Sequence, residues 1–178
     1  MDYTLPSTSN PQTRRPALSG LLAGVFLGIS LVLGGCSGSP PQSVGPVGDD
    51  LRPCPGTPNC VHTGRGEPSD APDFRLAPEW REGGAREEVL DRVAEALASL
   101  PRTQVVDRRG DYLRAEATSR IFRFVDDVEV LLDPEGERLV VRSASRMGQS
   151  DLGVNLDRVR ELHGILTREG ILTDPLRP

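Results

Sequence analysis

The sequence contains two strand-like runs, 126–133 and 138–145, separated by the turn sequence Pro-Glu-Gly-Glu at 134–137. This arrangement predicts a β-hairpin, and pairing Asp133 with Arg138 sets its register. The predicted cross-strand pairs are Leu132 with Leu139, Val130 with Val141 and Val128 with Ser143 on one face, and Leu131 with Val140, Glu129 with Arg142 and Asp127 with Ala144 on the other. The first face is apolar and is expected to meet helices, whereas the second carries charge.

The remaining patterns complete an α+β fold. Strands are predicted over 103–108 and 112–119, with a short one near 74–76, and an apolar stripe (Leu90, Val93, Ala94, Leu97) predicts a helix over 85–100. A second helix is expected over 155–169, with Asn155 as N-cap, Gly170 as its stop, and a stripe of Leu156, Val159, Leu162 and Leu166. We therefore predict an antiparallel β-sheet of about four strands with two helices packed on one face.

The charged face of the predicted hairpin has two interpretations. Arg114 and Glu116 extend it if the strand over 112–119 joins the same sheet. The first interpretation is a solvated sheet face with ion pairs, which is usual for antiparallel sheets. The second is a surface that binds a partner.

The N-terminal part of the chain has the pattern of an export signal. Arg14 and Arg15 precede an uncharged apolar run over 17–35, which ends in small residues before Cys36. Its length is near the lower limit for a membrane span, so an uncleaved transmembrane anchor is the alternative. The sequence Leu33-Gly34-Gly35-Cys36 resembles the lipobox of bacterial lipoproteins. That resemblance implies a lipid such as palmitate on Cys36, and Ser37 after it favours the outer membrane.

This pattern divides the chain into three parts: a lipoprotein signal peptide (1–35), a lipidated Gly/Pro/Ser-rich tether (36–53) and a single α+β domain (54–173). The expected location is the cell envelope, with the domain lipid-anchored and facing the periplasm. The net charge of −5 gives no electrostatic reason to expect nucleic acid as a partner.

Cys54 and Cys60 remain as an even pair once Cys36 is acylated. In an oxidising periplasm they favour a disulfide. The alternative is a metal site completed by His62, although the spacing is unusual for structural zinc. We predict no metal and no cofactor.

A candidate anion or partner site combines five arginine, serine and asparagine residues with three carboxylates. It consists of Arg120, Asp126, Asp127, Arg142, Arg146, Ser150, Asp151 and Asn155. A glycine-punctuated loop over 147–153 leads into the last helix, whose N-terminus favours anions. The alternative is that the three aspartates neutralise the arginines and hold the loop against the sheet.

Signatures of catalysis are sparse. The sequence lacks G-x-S-x-G and a Gly-rich phosphate loop. Asp126 and Asp127 are adjacent in a strand, so they point to opposite faces and cannot form a paired dyad. We therefore predict no catalytic residues.

Three segments carry a resemblance to a known family: CPGTPNCV at 54–61, SRIFRFVDDVE at 119–129 and RSASRMGQSDLGVN at 142–155. Together they resemble the family called domain of unknown function 1499 over residues 54–168. His62-Thr63, Met147 and Gln149 depart from its pattern. The family implies no established reaction.

These observations favour an envelope lipoprotein that is a membrane-tethered binding or interaction module. Its expected partners are the membrane, through the lipid anchor, and an envelope protein or a small anionic ligand. The alternative is a hydrolase or transferase acting on envelope glycan or lipid. A concave pocket where carboxylates and arginines converge would favour the enzyme.

Overall fold

The computed structural model describes Met1 and residues 44–64 and 70–174. Its main element is a five-stranded antiparallel sheet. Its strand order is β3-β7-β6-β5-β4. The bounds are β3 Cys60–His62, β4 Thr103–Arg109, β5 Tyr112–Thr118, β6 Val125–Leu132 and β7 Leu139–Ser145. A separate two-stranded sheet pairs β1 Pro46–Val47 with β2 Asp50–Leu51, and the helices are α1 Pro78–Glu82, α2 Arg86–Ser99 and α3 Val154–Arg168.

The predicted α+β class with an antiparallel sheet is confirmed. The structure adds β3 at the edge, the small sheet and the short helix α1 to the predicted elements. The predicted short strand near 74–76 is present as two isolated bridges, which join Arg75 to Arg138 and Leu76 to Leu172.

The register predicted for the hairpin is confirmed at all six predicted pairs. Strand β5 joins the same sheet, with Arg114 opposite Glu129 and Glu116 opposite Asp127. The face of Val128, Val130 and Leu132 lies in the main hydrophobic core together with α2 and α3. We call this the inner face of the sheet and the opposite face the outer face.

Helix α3 departs from its prediction at the N-terminus. It begins at Val154, and Gly153 occupies the N-cap position with a left-handed φ of 87°. The backbone N–H groups of Gly153 and Asn155 are bound instead by the carboxylate of Asp151. The prediction of Asn155 as N-cap is therefore wrong, because its wholly buried side chain bonds to other elements.

The segment before residue 54 also departs from its prediction. Residues 36–53 were expected to form a solvated tether, but β1 and β2 pack on the outer face of the sheet. Leu51 is buried with Tyr112, Leu131 and Val140 in a second apolar cluster. The folded domain therefore includes residues 44–53, because burial of Leu51 fixes this stretch to the sheet.

Two predictions fall on residues that the structure does not describe. The signal peptide (1–35), lipidated Cys36 and the part of the tether up to residue 43 lie outside the described residues, apart from Met1.

Both buried clusters are formed by residues between Leu51 and Leu172. Within the described residues, no helix has the length and apolar character that a membrane span needs.

Candidate functional site

The outer face of the sheet carries a buried ion pair at its centre. Glu129 is completely inaccessible to solvent and Arg142 is 4% exposed. Arg142 donates to Glu129 at 2.7 Å, and the Tyr112 hydroxyl donates to the same carboxylate at 2.9 Å. Burial, followed by the negative charge of Glu129, raises the pKa of Tyr112 above its ordinary value. The phenol therefore stays protonated as a hydrogen-bond donor.

A second buried group of charges lies beside this pair. The Asp127 carboxylate accepts from Arg114 at 2.9 Å and from Arg146 at 2.7 and 2.8 Å. Both arginines also donate to Glu116. Burial opposes the charge of Arg114, but the hydrogen bonds to Glu116 and Asp127 outweigh it and raise its pKa. The hydrogen bond to Asp127 is the main cause that raises the pKa of Arg146.

The ion pairs that the sequence predicts for the outer face are present. The N-terminal segment packs over the centre of this face. The Glu129 carboxylate accepts the backbone N–H of Gly45 at 2.5 Å, and the backbone of Leu51 contacts His62 of β3. Solvent is thus largely excluded from the charges at the centre of this face.

One part of the outer face stays open as a cavity of about 360 Å³. Its wall combines the sheet charges with the loop of Cys54 and Cys60. The lining residues are Pro53, Pro55, Thr57, Asn59, Cys60, Asp127, Arg142, Ala144, Ser145, Arg146 and Gly148. Among the described residues, the Nε–H of Arg142 has no hydrogen-bond partner although it is buried. Such a donor favours a ligand or water that supplies an acceptor.

The pairing of Cys54 with Cys60 is a disulfide, with sulfur atoms 2.06 Å apart. The alternative metal set is not formed, because both thiols are used in this bond. His62 is buried instead, and its Nδ1 accepts the backbone N–H of Gly64 at 2.8 Å. Residues of the disulfide loop, including Pro55, Thr57 and Cys60, form one wall of the cavity.

The inner face carries a different polar cluster at the start of α3. Asn155 donates to the carbonyl of Asn59 at 3.1 Å and to the Ser145 hydroxyl at 3.0 Å. Its own carbonyl accepts from Ser143 and Arg158. These bonds join the disulfide loop, β7 and α3, so this cluster holds the fold together on the core side of the sheet.

The structure thus divides the predicted site residues among three places. Asp127, Arg142 and Arg146 meet at the cavity. Asp126, Asp151 and Asn155 belong to the inner cluster, where Asp126 pairs with Arg158 at 2.8 Å. Arg120 and Ser150 are exposed loop residues, and Ser150 directly precedes Asp151 of the inner cluster. Asp126 and Asp127 point to opposite faces, as their adjacency in the strand predicts.

Several residues of these clusters were missed by sequence reasoning. The alternation of β5 places Tyr112 on the same face as Arg114, so its contact with Glu129 follows once the strand pairing is known. Arg158 lies one helical turn after Asn155, which is the only signal for its place in the inner cluster. For Gly45 the sequence carries no such signal.

An acidic hollow of about 210 Å³ lies near the turn between β6 and β7. Asp49, Asp50, Asp133 and Glu135 line it together with Arg138. Within the described residues, no group of three histidine, cysteine or acidic side chains is placed to hold a metal ion. The hollow therefore gives no basis for a metal site.

The fold and the site together define an α+β protein with a small polar cavity on the outer face of its antiparallel sheet. The disulfide loop forms one wall of this cavity. The family model described as protein of unknown function (DUF1499) matches residues 50–166. The chain belongs to this family. No curated protein and no solved structure matches it. The match includes Asp50 and Leu51, which agrees with a domain that begins before Cys54.

Proposed function

We propose that this protein is an envelope lipoprotein whose domain binds a small anionic ligand in the disulfide-framed cavity. The observation that carries the proposal is Arg142, which lines a cavity of about 360 Å³ and whose buried Nε–H has no hydrogen-bond partner among the described residues. An unsatisfied buried donor costs about 1–3 kcal/mol. A carboxylate or phosphate oxygen at this position relieves that cost.

The charge balance limits the kind of ligand. Arg114, Arg142 and Arg146 face an equal number of carboxylates, on Glu116, Asp127 and Glu129. The cavity is therefore not strongly electropositive, and binding depends on directed hydrogen bonds more than on net charge. A small ligand with one or two acceptor oxygens fits this arrangement better than a polyanion.

The alternative is a hydrolase or transferase acting on envelope glycan or lipid. The concave shape and the presence of Asp127 at the wall favour this alternative. However, both oxygens of Asp127 accept hydrogen bonds from buried arginines. Both oxygens of this carboxylate are thus engaged within the fold, so the arrangement supports binding better than acid–base catalysis.

Membrane attachment of the domain is part of the proposal and rests on the lipobox-like sequence at 33–36. In this view the acylated Cys36 is joined to the domain by residues 37–43, a connection much shorter than the predicted tether. The ligand site then lies close to the membrane that carries it.

Native mass spectrometry of the protein purified gently from its own envelope tests the ligand site. We expect a discrete bound mass that is lost in Arg142→Lys, which keeps the cation beside Glu129 but removes the Nε–H. The matched control is Arg160→Lys, because Arg160 is exposed on α3. Wild-type protein that carries no bound mass would contradict the ligand proposal. An acyl mass lost in Cys36→Ala tests the lipid anchor separately.

A further inference from the structure

The loop between β5 and β6, residues 119–124, presents apolar side chains to solvent. Ile121 is 79% exposed, Phe122 is 73% exposed and Phe124 is 49% exposed. The rings of the two phenylalanines stack with centroids 5.5 Å apart. Such a cluster costs solubility when it is left in water, so it indicates a contact surface. We call residues 119–124 the aromatic loop.

Two hydrogen bonds join the ends of the aromatic loop. Ser119 donates its backbone N–H to the carbonyl of Phe124 at 2.8 Å, and its hydroxyl accepts the N–H of Phe124 at 2.9 Å. Arg123 adopts a left-handed φ of 56°, which is unusual for a side chain of this kind. Closure of the loop ends limits the conformations of the residues between them, which reduces the entropy cost of binding.

Two exposed arginines, Arg120 and Arg123, belong to the aromatic loop. None of the described residues forms an ion pair or hydrogen bond with the side chain of Arg120 or Arg123. The acidic residues that follow the loop, Asp126 and Asp127, are buried and pair with Arg158, Arg114 and Arg146. The loop thus carries two positive charges that nearby carboxylates do not offset.

We propose that the aromatic loop docks on an anionic phospholipid surface. Ile121, Phe122 and Phe124 enter the interface between headgroups and acyl chains, where aromatic side chains are favoured. Arg120 and Arg123 are exposed in the same loop and supply the cations for the lipid phosphates. Exposed apolar side chains next to exposed arginines are complementary to the surface of an anionic bilayer.

The size of the surface favours a membrane over a protein partner. A stable protein interface buries about 800 Å² on each side, which three exposed apolar side chains do not provide. The overall negative charge does not prevent docking, because charges separated by more than about 8–10 Å are screened at physiological ionic strength. The local pair of arginines therefore dominates the contact.

This inference rests on the proposed envelope location only for the presence of a bilayer. Its test uses residues 37–178, which contain both buried clusters and lack the acylated cysteine. We expect them to sediment with vesicles of equal parts phosphatidylcholine and phosphatidylglycerol, and only weakly with phosphatidylcholine alone. Arg120→Gln with Arg123→Asn should weaken binding about 25-fold at low salt, since each arginine contributes roughly 1 kcal/mol near an anionic surface.

The apolar part of the contact is tested by Ile121→Ser with Phe122→Ser, which should weaken binding at least about tenfold at any salt concentration. The matched controls are Arg92→Gln with Arg160→Gln and Val47→Ser with Val106→Ser, since these residues are also exposed. We expect the controls to bind as the parent does. Unfolding curves of the loop variants should match the parent, because the replaced side chains are exposed.

Three results would overturn the inference: no binding of the parent to anionic vesicles, equal binding to vesicles of phosphatidylcholine alone, or equal loss in the control variants. A reversible dimer in sedimentation velocity, lost in the aromatic-loop variants without vesicle binding, would assign the patch to a second copy of the chain. Failure of the ligand proposal has a different readout, since Arg142→Lys is expected to keep full vesicle binding.

Discussion

The carboxylate of Glu129 accepts a hydrogen bond from the backbone N–H of Gly45 at 2.5 Å, although the two residues are 84 positions apart in the chain. Glu129 lies in β6, the central strand of the five-stranded sheet, and is completely buried. The contact joins the segment next to the expected lipid anchor to the buried charges of the outer face. The N-terminal segment is therefore part of the fold.

Glu129→Gln should lower the free energy of unfolding by about 3–5 kcal/mol. The substitution leaves Arg142 buried without a carboxylate, and breaking a buried pair by removing one partner is strongly destabilising. Denaturant unfolding of residues 37–178 measures the change. The matched control is Glu137→Gln, whose ion pair with Arg75 is about half exposed, and it should change stability by less than about 1 kcal/mol. Equal effects of the two substitutions would contradict the burial of the pair.

Leu51→Ala should destabilise the domain by about 2–4 kcal/mol, because Leu51 is 3% exposed and packs on Tyr112, Leu131 and Val140. Thermal unfolding provides the measurement. Val47→Ala in the same small sheet is the control, since Val47 is 51% exposed. If Leu51→Ala has no effect, residues 44–53 behave as the tether that the sequence predicts.

Asn155→Asp should cost about 2–4 kcal/mol of stability. The new oxygen would face the carbonyl of Asn59 and the carboxylate of Asp151, both of which accept from the Asn155 amide. Gln149→Glu makes the same change of charge at an exposed position and should be nearly neutral. Urea unfolding of the two variants separates a buried network from a general effect of added negative charge.

Replacement of both Cys54 and Cys60 by serine should reduce stability by about 2 kcal/mol, as expected for a short closed loop. Reduction of the parent protein should produce the same loss, which serves as the internal check. Unfolding of oxidised and reduced protein is compared in urea. Identical curves for oxidised and reduced parent would show that the crosslink does not stabilise the domain.

Stability should fall in alkali above about pH 10, the ordinary pKa of a tyrosine. Because the pKa of Tyr112 is raised in the folded state, the unfolded chain loses this proton first. The stabilisation is therefore complete below the unfolded pKa and is lost as pH rises towards the folded value. Tyr112 is the only tyrosine in residues 37–178, so ultraviolet absorbance of the phenolate follows it directly.

The variant Tyr112→Phe supplies the control for the alkaline transition. It should remove the part of the pH dependence above pH 10 and lower stability at neutral pH by about 1 kcal/mol, since the hydrogen bond to Glu129 is lost. A folded protein whose phenolate forms at the ordinary pKa would contradict the buried position of Tyr112.

Local patterns predict the four strands β4 to β7 of the sheet, but neither the edge strand β3 nor the packing on the outer face. The turn after Asp133 fixes the register, and alternation then places Glu129 opposite Arg142 as predicted. Helix α3 is less well predicted from local patterns. The apolar stripe places Leu156 on the buried face, but Leu156 is only half-buried, whereas the neighbouring Asn155 is completely buried. Its amide forms hydrogen bonds with polar groups of the disulfide loop and β7. Apolar periodicity carries no information about such bonds.

The sequence by itself determined the α+β class, the hairpin register, the faces of the strands and the pairing of Cys54 with Cys60 as the favoured alternative. These depend on neighbours in the chain, where spacing decides which side chains share a face. Only the tertiary structure decided that residues 44–53 cover the charged face and that Asp126 and Asp127 belong to separate clusters with different arginines. Contacts such as Gly45 with Glu129 join distant residues through a backbone N–H, a group that every residue except proline carries, so no residue type marks them in advance.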